Sequence, residues 1–266
     1  MYYDWIYSNS NCFNRRANNI VTIMSITICI ILFLCLIALA ILFKPVFVSK
    51  KSLKLLLSDR KYLNTFSKKD LEVRNVDSVY NYINTNISMS VTNASFYDVL
   101  KLSLLTAYID LRILIAKKQN AYFDYSKFNK IPWKFGIIKG KLYENGLPHT
   151  RKDIIILPKR SIKRNTKSLI ELLIHEKTHI FQKIYPEYAQ NYIKQNNFVK
   201  SGLNKGIVRA NPDIDDYIYA DSSGNELKAV YRDNAKSITD VIISNQYYEH
   251  PFERMAIDFE RIIYWN

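Results

Sequence analysis

The segment His175-Glu176-Lys177-Thr178-His179 constrains the fold of this chain more than any other, because it sets two imidazoles and a carboxylate into an otherwise apolar stretch. A helix reconciles the two demands. At about 3.6 residues per turn, a spacing of four brings both rings to one face, where they can share a metal ion. Glu176 beside them is then the carboxylate that takes a proton from an activated water. Leu169, Ile170, Leu172, Leu173, Ile174, Ile180 and Phe181 supply the apolar bulk of a helix buried on most sides. Polar groups inside such a helix need a partner, and a metal is one. Ser168, or Thr166 just before it, is the expected N-cap, and Pro186 marks a stop. The plainer reading, a solvated or packed helix face, is weakened by scarcity: the chain has only four histidines, and two of them take this spacing.

Residues 20–43 carry no charge and are interrupted only by Thr22, Ser25 and Thr27 among hydroxylated side chains. As a helix they would extend about 36 Å against a hydrocarbon thickness of about 30 Å, so a membrane-spanning helix is expected. A cleaved signal peptide, suggested by Ala38 and Ala40, is disfavoured because Ile41, Leu42 and Phe43 continue the apolar run past the cleavage point. Residues 1–19 then form an N-terminal tail and residues 44–75 a basic juxtamembrane linker attracted to anionic head groups. Lys44, Lys50, Lys51, Lys54, Arg60 and Lys61 outnumber Arg15 and Arg16 before the run, which points to a single-pass protein with its main domain, residues 76–266, on the cytoplasmic side.

The net charge of +14 suggests no nucleic-acid reader, since the basic residues are scattered and form no aromatic-interleaved stripe. Cys12, Cys29 and Cys35 all precede residue 44, so the main domain has no disulfide and no thiolate ligand. This suits a reducing compartment, and the sequons at Asn86 and Asn93 matter only after translocation.

Phe96, Leu100, Leu104, Tyr108, Leu111 and Ile115 recur at helical spacing between residues 95 and 118, and the charges Asp98, Lys101, Asp110 and Arg112 make this a core helix rather than a second span. Short β-prone runs, Trp133 to Ile138 and Asp153 to Leu157, give a small sheet before the motif helix. The second run is the expected edge strand for an extended peptide. Pro186 opens a short helix through Tyr192, and Tyr217 to Ala220 with Glu226 to Arg232 reads as a β-hairpin. Asp213, Asp215 and Asp216 lack the loop pattern of an EF-hand and are assigned to turns and caps.

A catalytic zinc site needs a third protein ligand. The motif form with a later histidine fails, because Gln182 replaces its glycine and Tyr185 its histidine. The best source is Glu249-His250-Pro251-Phe252-Glu253, where Pro251 suits the first turn of a helix. Glu253 is the preferred ligand, with His250 and Glu249 as alternatives. His149, in the loop Gly146 to Arg151, together with Tyr219 and Tyr231, are candidates to stabilise a developing oxyanion.

With Glu253 in place, His175 to His179 resembles the gluzincin type of zinc metalloprotease. The segments Gly146 to Arg151, the motif helix, Asn211-Pro212-Asp213 and Glu249 to Ala256 are similar to metalloproteases of large DNA viruses and some bacteria. They lie within somewhat under half the chain. The resemblance implies zinc held by His175, His179 and Glu253, with Glu176 as general base. The chain departs from the best-known gluzincins in having Ile257, not Asp, four residues after Glu253, with Asp258 one place late. The expected protein is α+β: a transmembrane helix followed by a mostly helical zincin-like domain with a small sheet and a β-hairpin. It would be a membrane-anchored zinc metalloendopeptidase acting on a peptide or protein substrate, without a specific nucleic-acid partner. The alternative is a catalytically idle zincin-fold interaction protein at a membrane.

Overall fold

The computed structural model describes residues 22–28, 30, 31, 34, 45–115, 122–204, 206, 208–244 and 247–265. The chain divides at Phe43/Lys44 into two units, the second of which holds the sheet and the motif helix. Most of the expected span at residues 20–43 lies outside the described residues, among which no helix is long and apolar enough to cross a membrane.

The fold is mixed α+β. Its central sheet is built from β1 (Val46–Phe47), β2 (Val91–Thr92), β3 (Lys134–Ile138), β4 (His149–Arg151) and β5 (Ile154–Pro158), with path order β1-β3-β5-β4. β1 and β2 share one side of β3, β1 parallel along its first half and β2 antiparallel along its second. β3 and β5 are parallel, and β4 turns back antiparallel on β5. The Phe135, Ile137, Ile155, Ile156 and Leu157 side chains are all buried. Such unbroken apolar runs are what a sheet covered on both faces requires.

Five longer helices surround it: α1 (Lys50–Leu57), α2 (Phe96–Ile115), α3 (Thr166–Ile184), α4 (Pro186–Gln195) and α5 (Pro251–Trp265). α3 carries the motif. Its N-cap is Asn165, whose Oδ1 accepts from the Ser168 N–H at 2.9 Å, so the helix begins earlier than a Ser168 cap would allow. Pro186 ends α3 and serves as the first residue of α4, where its missing N–H costs nothing. A three-stranded antiparallel sheet of β6 (Val199–Leu203), β7 (Tyr217–Ala220) and β8 (Glu226–Leu227) includes the expected hairpin. The hairpin is shorter than expected, because β9 (Ala229–Tyr231) leaves it to pair with β10 (Val241–Ile243).

Three expectations are corrected. Residues 44–75 are not a linker: Leu53, Leu57 and Leu63 are fully buried against Tyr82, Ile138 and Ile156, while Lys50, Lys51 and Lys54 occupy the outer side of α1. The lysines drew attention, but the leucines at helical spacing decide the packing. α2 exists as expected and packs into the core, but through Leu102, Ile109 and Ile113 rather than through the side that carries Phe96. The Phe96, Leu100, Tyr108, Leu111 and Ile115 side chains are exposed, whereas Asp98, Ser103, Thr106 and Asp110 are buried. Asp110 is satisfied inside by the Trp133 indole at 2.9 Å and by Lys177 Nζ at 3.2 Å, the latter lying 4.1 Å over the Trp133 ring. Burial pulls the Lys177 ammonium down to about 8 against the opposing pull of Asp110. Finally, β5 is no edge strand, having β3 on one side and β4 on the other.

Candidate metal centre

α3 and α5 pack face to face, and their contact assembles the site. His175 Nε2 lies 3.1 Å from His179 Nε2, 3.3 Å from Glu253 Oε2, and the last two atoms are 3.6 Å apart. Bonds of about 2.0–2.1 Å to a tetrahedral zinc place any two ligand atoms about 3.3 Å apart. The three sides of this triangle bracket that value. Among the described residues, these are the ones grouped to hold a metal.

The outer nitrogens complete the case. His175 Nδ1 is 2.5 Å from Glu260 Oε1, and His179 Nδ1 is 2.9 Å from Gln182 Oε1. Both acceptors require the proton on Nδ1, which leaves the Nε2 lone pairs aimed inward at each other and at Glu253. Three converging acceptors repel unless a cation sits among them. Without a cation, the same geometry favours the protonated imidazoles. Burial opposes charge on His175, yet hydrogen bonds to the Glu253 and Glu260 carboxylates hold its pKa well above the usual range. On His179 burial is likewise overcome by Asp213 and Glu253. Burial pushes the Glu253 carboxyl up, but His179 and His175 hold it well below 4.5.

Glu176 is 3 % exposed, and its Oε2 has no hydrogen-bond partner among the described residues. Burial, reinforced by Asp213, pushes its carboxyl up to about 8 despite the two histidines. An orphaned acidic oxygen beside three metal-type donors is a group poised to exchange a proton. These residues line a cavity of about 230 Å³ whose apolar wall includes Leu147, Pro148, Ile238 and Ile257.

The alternatives for the third ligand do not join the histidine cluster, although Glu249 Oε2 is buried without a partner among the described residues. His250 Nε2 lies 3.1 Å from Asp215 Oδ1, and its Nδ1 accepts from the Phe252 N–H at 3.1 Å, which caps the start of α5. Glu249 pairs with Arg209 and accepts from Asn211 Nδ2 at 2.7 Å. Asn211 Nδ2 also donates to Glu253 Oε1 at 3.1 Å, fixing the oxygen that faces away from the histidines.

The oxyanion candidates fare differently from the ligands. Tyr231 lies outside the cavity lining and donates to Asp70 Oδ1 at 2.8 Å, and Tyr219 donates to Asp215 Oδ2 at 2.9 Å. His149 lines the cavity, but its Nδ1–H donates to the Leu147 carbonyl at 3.1 Å, so Nε2 accepts from the Tyr143 hydroxyl at 3.1 Å. Burial lowers its pKa and keeps the ring neutral, with no proton to spare for an oxyanion. Its loop is held by Gly146 at φ +62°, where a Cβ would sit 2.6 Å from the Gly140 carbonyl.

Asp213 does more than shape a turn. Its carboxylate accepts from the Thr150 N–H at 3.0 Å and from the Thr150 hydroxyl, and pairs with Lys183 of α3 at 3.0 Å. Lys183 Nζ also reaches the Thr150 carbonyl at 3.3 Å. The outward backbone groups of Thr150 are therefore occupied, so the free side of β4 offers no ladder to a peptide at that residue. Sequence reasoning missed Glu260, Gln182 and this clamp. Glu260 falls seven residues after Glu253, two helical turns along the same face, and that spacing was the available signal. Comparison with protein-family models, curated proteins and solved structures found no match to this chain. The chemistry of the site thus stands on its own geometry.

Proposed function

We propose that the chain is a zinc metallopeptidase tethered to a membrane through residues 20–43. The observation carrying this reading is the Nε2–Nε2–Oε2 triangle of His175, His179 and Glu253, with both outer nitrogens already committed to acceptors. The donor set of two neutral imidazoles and one carboxylate suits zinc and leaves a position open. Zinc bound there supplies Lewis acidity, polarising a peptide carbonyl and acidifying water.

The protein's own residues supply the rest. Glu176, next to the ligands and without a fixed partner, accepts a proton from the attacking water and returns one to the departing amine nitrogen. A cation among the ligands favours the carboxylate form of Glu176, opposing the burial and the Asp213 charge that raise its pKa. Glu260, Gln182 and Asn211 hold the ligand side chains in position.

The test is the full chain in detergent, assayed for bound zinc and for cleavage of an unstructured peptide mixture. Wild type is expected to hold about one zinc per chain and to lose cleavage on chelation. Glu176→Gln should retain the metal and lose cleavage. A wild-type protein that binds zinc but cleaves no faster than Glu176→Gln would leave the idle-scaffold alternative standing.

A further inference from the structure

The outward face of α2 departs from what a folded domain normally presents to water. Phe96 is 83 % exposed, Leu111 47 % and Ile115 68 %, and Tyr97, Leu100 and Tyr108 continue the same side of the helix. Twenty residues span about 30 Å, so this is a long apolar stripe rather than an isolated side chain. The exposure does not reflect a loosely packed helix. The inner face is anchored by Leu102, Ile109 and Ile113 in the hydrophobic core and by Asp110 on Trp133 and Lys177.

Basic side chains gather beside the stripe. Lys101 projects from α2 and donates to the carbonyls of Ile162 at 2.7 Å and Arg164 at 3.0 Å, which fastens the loop before α3 against the helix. That loop carries Lys163 and Arg164, both exposed. The Lys50 N–H donates to Asn93 Oδ1 at 2.9 Å, three residues before Phe96, which sets the exposed Lys50 and Lys51 at the start of α1 near the start of α2.

We propose that this face of α2, with Lys101, Lys163 and Arg164, rests on an anionic lipid surface. An apolar stripe enters the boundary between head groups and acyl chains, while adjacent cations meet the lipid phosphates and carboxylates. A second copy of the chain fits less well, because the net charge of +14 opposes self-association and favours a negatively charged partner.

The experiment uses the full chain with Cys12, Cys29 and Cys35 changed to Ser, reconstituted in phosphatidylcholine vesicles with or without phosphatidylserine. A fluorescent label is placed at Leu100→Cys or Leu111→Cys, with Ser223→Cys in an exposed turn as the control. Quenching by nitroxide-bearing lipids is expected to be at least about threefold greater at positions 100 and 111 than at 223. It should fall when phosphatidylserine is omitted, and equally when Lys163→Glu and Arg164→Glu are combined. Equal quenching at all three positions overturns the proposal. Label burial that follows protein density rather than lipid charge overturns it in favour of a second copy. Label burial indifferent to lipid, salt and dilution overturns it in favour of cover by the chain's own N-terminal segment. Neither metal nor hydrolysis enters the readout, so this proposal and the peptidase reading fail separately.

Discussion

Glu260 Oε1 lies 2.5 Å from His175 Nδ1, and this one contact determines which nitrogen of His175 faces Glu253. Four residues after Glu253 stands Ile257, which offers no carboxylate. The second carboxylate comes instead from one turn further along α5. Asp258 turns away and accepts from the Tyr192 hydroxyl at 2.5 Å. α5 thus supplies both Glu253 and the carboxylate that orients His175.

Removing that carboxylate tests the arrangement. Glu260→Ala is expected to weaken zinc binding by about 10–100-fold, because His175 loses the group that fixes its tautomer and ring direction. Competition with a chromogenic chelator measures it. Asp258→Asn should leave zinc affinity within about twofold of wild type, since Asp258 does not reach a ligand. An equal loss in both variants would mean that α5 packing, rather than the Glu260 contact, is what was disturbed.

Proton release is the second expectation. Without metal the surroundings raise the pKa values of His175, His179 and Glu176, so the site favours protons. A cation must displace them. Zinc uptake near pH 7 should release about one proton or more per ion, and affinity should fall as pH drops. Calorimetry in buffers of different ionisation enthalpy counts the protons directly. Uptake without proton release would contradict the converging-acceptor geometry.

The motif helix and Glu253 were legible because their signals are local: an i, i+4 histidine pair in an apolar segment, and a proline opening the next helix on the ligand side. α2 was legible as a helix but not as to face. Periodicity states that apolar residues share a side without stating whether protein covers it, and here α3 and Trp133 take the side holding Asp110, Ile109 and Ile113. His149 failed as a proton donor for a related reason. Its hydrogen bonds run to Tyr143 and Leu147 in a loop geometry set by Gly146, and no sequence pattern specifies that ring orientation.

Leu53 tests whether residues 44–75 belong to the domain. Its side chain is fully buried and packs over Gly136 so tightly that a Cβ there would lie 2.5 Å from Leu53 Cδ1. Leu53→Ala should cost about 2–5 kcal/mol and lower the thermal midpoint, whereas Leu55→Ala, at 77 % exposure on the same helix, should change stability by no more than about 0.5 kcal/mol. Equal, negligible effects would restore the linker reading of this segment.

The buried ion cluster of Arg74 makes the sharpest pH prediction. Arg74 Nη2 lies 2.7 Å from Glu144 Oε2 and its Nη1 3.2 Å from Asp70 Oδ1, while the Tyr82 hydroxyl donates to Glu144 Oε1 at 2.7 Å. Burial pushes the Glu144 carboxyl up, but Arg74 outweighs it and holds the pKa below its ordinary 4.5. A depressed carboxyl contributes stability that is fully present above the unfolded-state pKa and is lost as pH falls through the folded-state value. Wild type should therefore lose stability below about pH 4.5 through this group. Arg74→Met removes the cation and leaves two carboxylates buried, which should cost about 3–5 kcal/mol at pH 7. In that variant burial raises Glu144 unopposed by Arg74, so its contribution changes sign and the deficit against wild type should shrink on acidification. Thermal unfolding of both proteins from pH 7 to pH 4 measures the two slopes. Parallel slopes would show that Glu144 does not depend on Arg74 for its charge.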